Sequence, residues 1–452
     1  MAMKKEMRSL KPTSINIRSY QVGFGDCFLL SFMYDAPSKS RHVLIDFGST
    51  GSPRGKTKTA EILRVIATHI AAVCKEENGS LDVVVATHRH KDHISGFDRS
   101  GGPGSSGEII RSLKPSLVVQ PWTEDPKTAT DATAPTARKG LNALHVASLR
   151  SMQAIAQAAL ESSQSCSGML QKQLAFLGEN NLANKSAVEN LMTMGKRNKY
   201  VYFGQSSGIE KLLPGVGVRV LGPPTLEQTR TIEKQRARDP DEFWQLQAAT
   251  IPFFTSGQRP LFPKAPRTRA IAPLERWFVD RMQNISKDSL LELVRILDNA
   301  MNNTSVILLF EVGGKKLLFP GDAQIENWAY ALFGSDDHQE IQAALAEVDL
   351  YKVGHHGSLN ATPKTLWELF KKRSKKKLPN RLHTLVSTMS GKHGDTKRGT
   401  EVPRRTLVEA LEKETDFFST QTIKATQDVW KWKPTDPIDD AKFCHLETII
   451  LQ

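Results

Sequence analysis

An α/β fold is what this sequence predicts, on three observations. The first and last thirds each open with alternating apolar runs that read as hairpins. A strongly amphipathic helical segment follows the first of them, and short continuous apolar runs of the buried-strand type come after it. The composition agrees: 39% hydrophobic and 24% charged residues over 452 positions are globular values, which exclude a disordered, collagenous or coiled-coil chain.

The elements follow in order. INIRSYQVG, CFLLSF and HVLIDFG alternate like strands and are closed by Gly, Asp or Pro-bearing turns, so a hairpin-rich sheet opens the chain. TAEILRVIATHIAAVCKEE then repeats Ile62, Val65, Ile66, His69, Ile70 and Val73 at helical spacing, and LDVVVATH reads as a buried strand. A further strand, PSLVVQPW, runs into a Thr/Asp/Pro/Ala stretch up to about Arg138 that reads as an exposed loop. Residues 141–200 read as mostly helical, an insertion in which LNALHVASLRSMQAIAQAAL is amphipathic. GVGVRVLGPP returns to strand, and 225–285 reads as a second insertion or lid. Ser289 and Glu292 have capping-box spacing, ahead of a helix with Leu290, Leu293, Val294, Leu297 and Met301 on one face. The last third repeats the opening logic: SVILLFEV, a Gly-Gly turn, KKLLFPGD, a helix from near Ile325, VDLYKVGHHGS and HTLVSTM. The expected division is 1–125 and 301–452 as two halves of one fold, around a mainly helical 126–300 with one returning strand near 216–222. The second half carries a basic helix and tail.

The 61 Lys and Arg against 48 Asp and Glu leave a net charge of +13, which favours an anionic partner, nucleic acid first, over a surplus that serves only solubility. No apolar run is long enough to span a membrane, and MAMKKEMRSLKPTSINIRSY has charge without an apolar core behind it. Cys27, Cys74, Cys166 and Cys444 form no CxxC pair, so neither a disulfide framework nor a zinc ribbon is expected. A cytoplasmic protein with no membrane partner is the expectation, and Cys27 belongs to the core.

The chemistry concentrates in THRHKDH. His88, His90, Asp92 and His93 follow directly on the buried strand, where a loop leaving a strand end can aim His88 and His90 at one metal and Asp92 and His93 at a second. Three other segments end strands with the same residue types: LIDFG with Asp46, LLFPGDAQ with Asp322, and VGHHGS with His355 and His356.

In this order, these residues resemble the scattered metal motifs of the metallo-β-lactamase superfamily. QVGFGDCFLL, LIDFG, NNTSVILLFEVGGKKLLFPGDAQIENW and KVGHHGS look most like the hydrolase domain of the bacterial competence DNA-uptake channel and its soluble relatives; a bacterial choline-phosphate esterase shares HHGS. The resemblance covers 15–125 and 300–400 and hardly touches the middle. It implies a four-layer αβ/βα sandwich with a largely helical insertion. By the same carry-over, His88, His90 and Asp322 hold metal one. Asp92, His93, His356 and a shared oxygen of Asp322 hold metal two, and Asp46 and Asp26 support the ligand loop. Asp92 and His355 are the catalytic candidates, His355 as a group that binds a substrate phosphate or protonates a leaving oxygen. The sequence departs from the pattern at metal one: the further histidine many members supply is replaced, after VRVL, by Gly222, Pro223 and Pro224, and His145, the one histidine between 94 and 321, reads as core or surface.

Two divalent ions are implied, Zn²⁺ by expectation with Mn²⁺ or Fe²⁺ as alternatives. They would hold a hydroxide available as a nucleophile near neutral pH and stabilise the oxygens of a phosphodiester. The expected function is therefore a metal-dependent phosphodiesterase or nuclease acting on DNA. A small-molecule hydrolase (phosphocholine ester, cyclic nucleotide or lactone) and a partner-activated effector module, its partner encoded in the same operon, stay open. Candidate substrate-binding residues come from two basic peaks. Arg267 and Arg269, with Lys234, Arg236, Arg238 and Lys264, stand among Phe243, Trp244, Phe253 and Phe254; Lys371, Lys372 and Arg373 open KKRSKKK.

Overall fold

Among the described residues, thirteen strands form two mixed sheets. The computed structural model describes residues 10–35, 39–53, 57–77, 79–125, 185–229, 301–358, 362–393, 401–424 and 431–451. The strands are β1 Ser14–Tyr20, β2 Cys27–Met33, β3 Arg41–Phe47, β4 Ser80–Val85, β5 Leu117–Pro121, β6 Asn198–Val201, β7 Gly217–Gly222, β8 Ile307–Val312, β9 Lys315–Phe319, β10 Leu350–Lys352, β11 His383–Val386, β12 Asp416–Ser419 and β13 Cys444–Ile450. The first sheet has the order β13-β1-β2-β3-β4-β5-β6, the second β12-β11-β10-β9-β8-β7. Each begins with antiparallel neighbours and continues in parallel: β1, β2 and β3 pair antiparallel and β3 to β6 parallel, while β7, β8 and β9 pair antiparallel and β9 to β12 parallel.

Strand neighbours point to opposite faces, and here both faces are covered, which is why the strands read as continuous apolar runs. Phe28, Val85, Leu308 and Phe319 meet in a core between the sheets. Leu29, Val84 and Phe47 face the other way, onto Ile62, Ile66 and Ile70 of the helix Thr59–Glu76. Leu309, Leu318 and Tyr351 face Trp328, Leu345 and Leu411 from helices beyond the second sheet. The helix Thr59–Glu76 buries the periodic residues named above, with Glu61 in its first turn and Lys75 in its last to suit its dipole. No helix among the described residues is long and apolar enough to cross a membrane.

Several expectations need correction. Of the stretch 141–200, expected to be mostly helical, 141–184 lies outside the described residues; the rest holds the helix Lys185–Met194 and then β6, which pairs parallel with β5. Among the described residues of 126–300 two strands return, β6 to the first sheet and β7 to the second. The 301–452 half is not one sheet either, because β13 crosses back and pairs antiparallel with β1. A strand's partner is chosen in three dimensions and leaves no local periodicity. KKRSKKK is not helical: it follows the helix Lys364–Leu369 as turns. The loop from 126, His145, the lid residues from 230 and the 289–301 helix with its capping box lie outside the described residues, apart from its last residue, Met301, which is helical and buried.

A buried polar row ties the C-terminal segment to the first sheet. Arg18 bonds Asp440 at 2.9 Å and pairs with Glu77 at 3.0 Å, Tyr20 Oη meets His69 Nδ1 at 3.0 Å, and His42 Nδ1 meets Ser31 Oγ at 2.9 Å. Burial holds His42 down at about 4, helped by Arg18 and Arg41; burial likewise holds His69 at about 4, against the opposing pull of Asp440. Both are neutral in the fold. As pH falls from about 6.5 towards 4 the unfolded chain takes up protons that the folded chain refuses, so stability drops, by up to roughly 3 kcal/mol per histidine. The urea midpoint should fall between about pH 6.5 and about pH 4.5, less steeply in His69→Gln. A midpoint that stays constant, or the same slope in the variant, would refute this assignment.

Candidate metal centre

The parallel strands of both sheets deliver their carboxyl ends to one place, the edge where open α/β sheets gather ligands. β3 ends in Asp46, β4 leads into Thr87 and His88, β9 into Asp322, and β10 into His355 and His356. The turn before β2 contributes Asp26. It needs Gly25 at φ 153°, because a Cβ there would lie 2.3 Å from the Gly48 carbonyl oxygen and 2.6 Å from that of Asp92.

Asp46 fixes the ligand loop. Its Oδ1 accepts the Thr87 amide and its Oδ2 the Thr87 hydroxyl, both at 2.7 Å, and Oδ2 also meets His93 Nδ1 at 2.8 Å. With Nδ1 engaged, His93 turns Nε2 towards Asp322 Oδ2, 3.0 Å away. His356 is set the same way: Nδ1 donates to the Ser387 carbonyl at 2.9 Å, and Nε2 faces Asp92 Oδ2 at 3.1 Å and Asp322 Oδ2 at 3.7 Å. Anchoring one ring nitrogen to orient the other is how proteins prepare metal-binding histidines. His88 Nε2 lies 4.0 Å from Asp322 Oδ2 and 2.9 Å from His90 Nδ1.

Two groups of donors therefore exist that can hold a metal ion, His88, His93 and Asp322, and Asp92, His93 and His356, each with its ligand atoms within 4.8 Å of one another. A third such group, Asp26, Asp46 and His93, has both carboxylates already engaged, by Lys352 and by Thr87. His90 reaches the cluster through His88, with its Nδ1 2.9 Å from His88 Nε2, and its carbonyl accepts the His93 amide at 2.9 Å.

The electrostatics favour positive charge here. Burial alone would lower His93, yet Asp322, Asp46 and Asp26 hold it well above its ordinary value; burial opposes Asp322 and Asp26 at His356 too, which sits at about 10. Asp322, which burial would raise, is held well below the usual carboxylate range by His93, His356 and His355. His88 is pushed well down, by burial first and then by His93 and His90, and so presents a neutral donor. His93 Nε2 is fully buried and faces Asp322 Oδ2 at 3.0 Å. These donors fit a divalent cation: neutral or displaceable imidazole protons, carboxylates, and a field that attracts positive charge.

His355 stands at the rim. Its side chain is 26% exposed, its Nδ1 meets Ser358 Oγ at 2.9 Å, and its Nε2 is 4.0 Å from Asp322 Oδ2. The structure does not bring the KKRSKKK residues to the cluster. They sit at the opposite, amino-terminal ends of the second sheet's strands, where Lys372 bonds Asp349 at 2.8 Å, Arg373 bonds Glu414 at 2.9 Å and covers the Trp367 ring, and Lys371 pairs with Glu347 at 3.6 Å. They therefore stand apart from the cluster, with Lys372 and Arg373 paired to local carboxylates and Lys371 largely exposed. Arg267 and Arg269 lie outside the described residues. At Gly222 a Cβ would lie 2.2 Å from Oδ1 of the buried Asn327, so a side chain there would require Asn327 to shift.

Two residues were missed in the sequence. His393 packs on Phe24 at 4.1 Å between ring centroids, and Phe24 packs on His356 at 4.3 Å. Lys352, 2% exposed, pairs with Asp26, bonds the Gly321 carbonyl at 3.2 Å and lies 3.8 Å from Asp322 Oδ1. A lysine inside the apolar run VDLYKV was the available signal, since a lysine is almost never buried without a partner. Comparison with family models finds no match to this chain, and comparison with curated proteins finds none either.

Lys352→Met should leave Asp26 and Asp322 buried without their cation and cost the metal-free protein roughly 3–5 kcal/mol. Urea unfolding in EDTA measures the loss, and added Zn²⁺ should recover part of it. Wild-type stability in the variant would show that Lys352 does not neutralise these carboxylates.

Proposed function

We propose that this chain is a metal-dependent hydrolase of the metallo-β-lactamase superfamily, a phosphodiesterase that cuts DNA. One observation carries the reading. Four imidazole nitrogens, Nε2 of His88, His93, His355 and His356, lie 3.0–4.0 Å from a single buried oxygen, Asp322 Oδ2. Helices packed on the outer face of each sheet, with a core between the sheets and the cluster at the strand ends, support the four-layer αβ/βα sandwich of that family.

His88, His90 and Asp322 would hold one divalent cation, and Asp92, His93, His356 and Asp322 the other. Such ions supply a nucleophile from water near neutral pH and neutralise charge on a phosphodiester. The chain's own residues do the rest. Asp46 and Thr87 hold the loop that carries His88, and Ser387 holds the His356 ring. Lys352 pairs with Asp26 and limits the negative charge under Asp322. His355, at the rim, is placed to meet a substrate phosphate or to protonate a leaving oxygen. The net charge of +13 supports an anionic polymer as substrate.

The purified protein should contain up to two transition-metal ions per chain by elemental analysis and should lose hydrolysis of DNA on chelation. Asp322→Ala should abolish both metal retention and turnover. His355→Ala should keep its metal while losing roughly 10²–10⁴-fold in rate, the worth of a general acid. No bound metal, and no activity with added Zn²⁺ or Mn²⁺, would overturn the hydrolase reading. Turnover of bis(p-nitrophenyl) phosphate with DNA and RNA both inert would replace the nuclease with a small-molecule esterase.

A further inference from the structure

Beside the cluster lies a cavity of about 670 Å³, within the usual range for a ligand site. None of the cluster's own residues lines it. Lys91 and Ser95 do, and these bracket Asp92 and His93 in a single turn, so the cavity and the cluster share one short segment of chain. The opposite wall is the start of the helix Thr59–Glu76, with Glu61 and Arg64, and the loop that follows Asp98 closes the third side.

The chemistry of the lining narrows the ligand. Lys91 is half-buried and Arg64 exposed, and among the described residues neither has an ion-pair or hydrogen-bond partner for its side chain. The helix start carries no side-chain cap, so its partial positive charge adds to theirs. Of the two acids, Asp98 is turned into its own loop, accepting the Ser100 amide at 2.8 Å and the Ser100 hydroxyl at 2.7 Å, which leaves Glu61 as the acceptor that faces solvent. Of the serine and threonine hydroxyls, those of Ser49, Thr50, Ser95 and Ser100 bond within the protein, which leaves Thr59, Ser105 and Ser106 as the hydroxyls for a ligand. Among the described residues that line the cavity none is aromatic, so they neither stack a base nor cage a quaternary ammonium. Cations for a phosphate, hydroxyls and one carboxylate for a sugar, and nothing for a base describe the backbone of a nucleic acid.

We propose that this cavity docks the sugar–phosphate backbone of the substrate strand next to the bond that is cut, with Lys91 and Arg64 on a phosphate. The proposal rests on the nuclease reading and gives it a substrate class: a strand held by its backbone, without regard to base sequence.

The test uses the full chain in EDTA, so that the strand is bound and not cut, and follows the anisotropy of a fluorescein-labelled oligothymidylate across a range of salt. Two phosphate contacts on a single strand contribute roughly 0.7 each to the log-log salt slope, so Lys91→Gln combined with Arg64→Gln should flatten it by about 1.4 and weaken low-salt binding by ~10-fold or more. Arg64→Glu alone, on an exposed helix position that cannot unfold the core, should weaken binding by at least ~3-fold. Unchanged affinity and slope in both variants, with a wild type that binds and then cuts DNA once metal is restored, would overturn the cavity's role and leave the nuclease standing. A wild type that neither binds nor cuts any strand would overturn both.

Discussion

Four carboxylates, from Asp26, Asp46, Asp92 and Asp322, are buried within one cluster, and the surrounding structure is built to make that tolerable. Each needs a cation or several donors, because an uncompensated buried charge is among the costliest defects a fold can carry. Asp46 is satisfied by Thr87 and His93, Asp26 by Lys352, and Asp92 by His356. Asp322 is shared among four histidines and Lys352. A divalent cation fits such an arrangement better than protons do, since it can satisfy several of these oxygens and nitrogens at once.

The backbone bears part of the cost. Of the four non-glycine residues with positive φ among the described residues, Asp46, His355 and His356 belong to the cluster, at 53°, 39° and 54°. Strain of this kind persists only where neighbours over-determine it. His355 N–H reaches Asp322 Oδ1 at 3.1 Å, and the Arg404 amide donates to the Gly357 carbonyl at 2.8 Å, so the segment is pinned on both sides. The rim side chain of His355 thus stands on a rigid turn.

The two sheets are similarly built, yet among the described strands the second is one stretch of chain, β7 to β12, while the first is not. β13 seals the first sheet from the far end of the sequence, and Arg18, Asp440 and Glu77 lock that crossing. The His42 and His69 rings share this polar layer, so acid should loosen the crossing before it protonates the low-lying carboxylates of the cluster.

The sequence alone determined what is local. THRHKDH packs four ligand-type residues into six positions behind a buried strand, and the helix at 59–76 declares itself by its apolar spacing, because both depend on residues a few positions apart. Asp46, Asp322 and His356 could be named because each ends a recognisable strand. Only the tertiary structure decided which of these groups meet, since His356 and Asp92 touch across 264 positions and no periodicity links them. It also revealed the buried Lys352, turned KKRSKKK away to the far ends of the strands, and placed β6 and β13 in the first sheet. Strand partners and ion pairs are chosen by what closes a sheet edge or neutralises a buried charge, and both choices are made between distant parts of the chain.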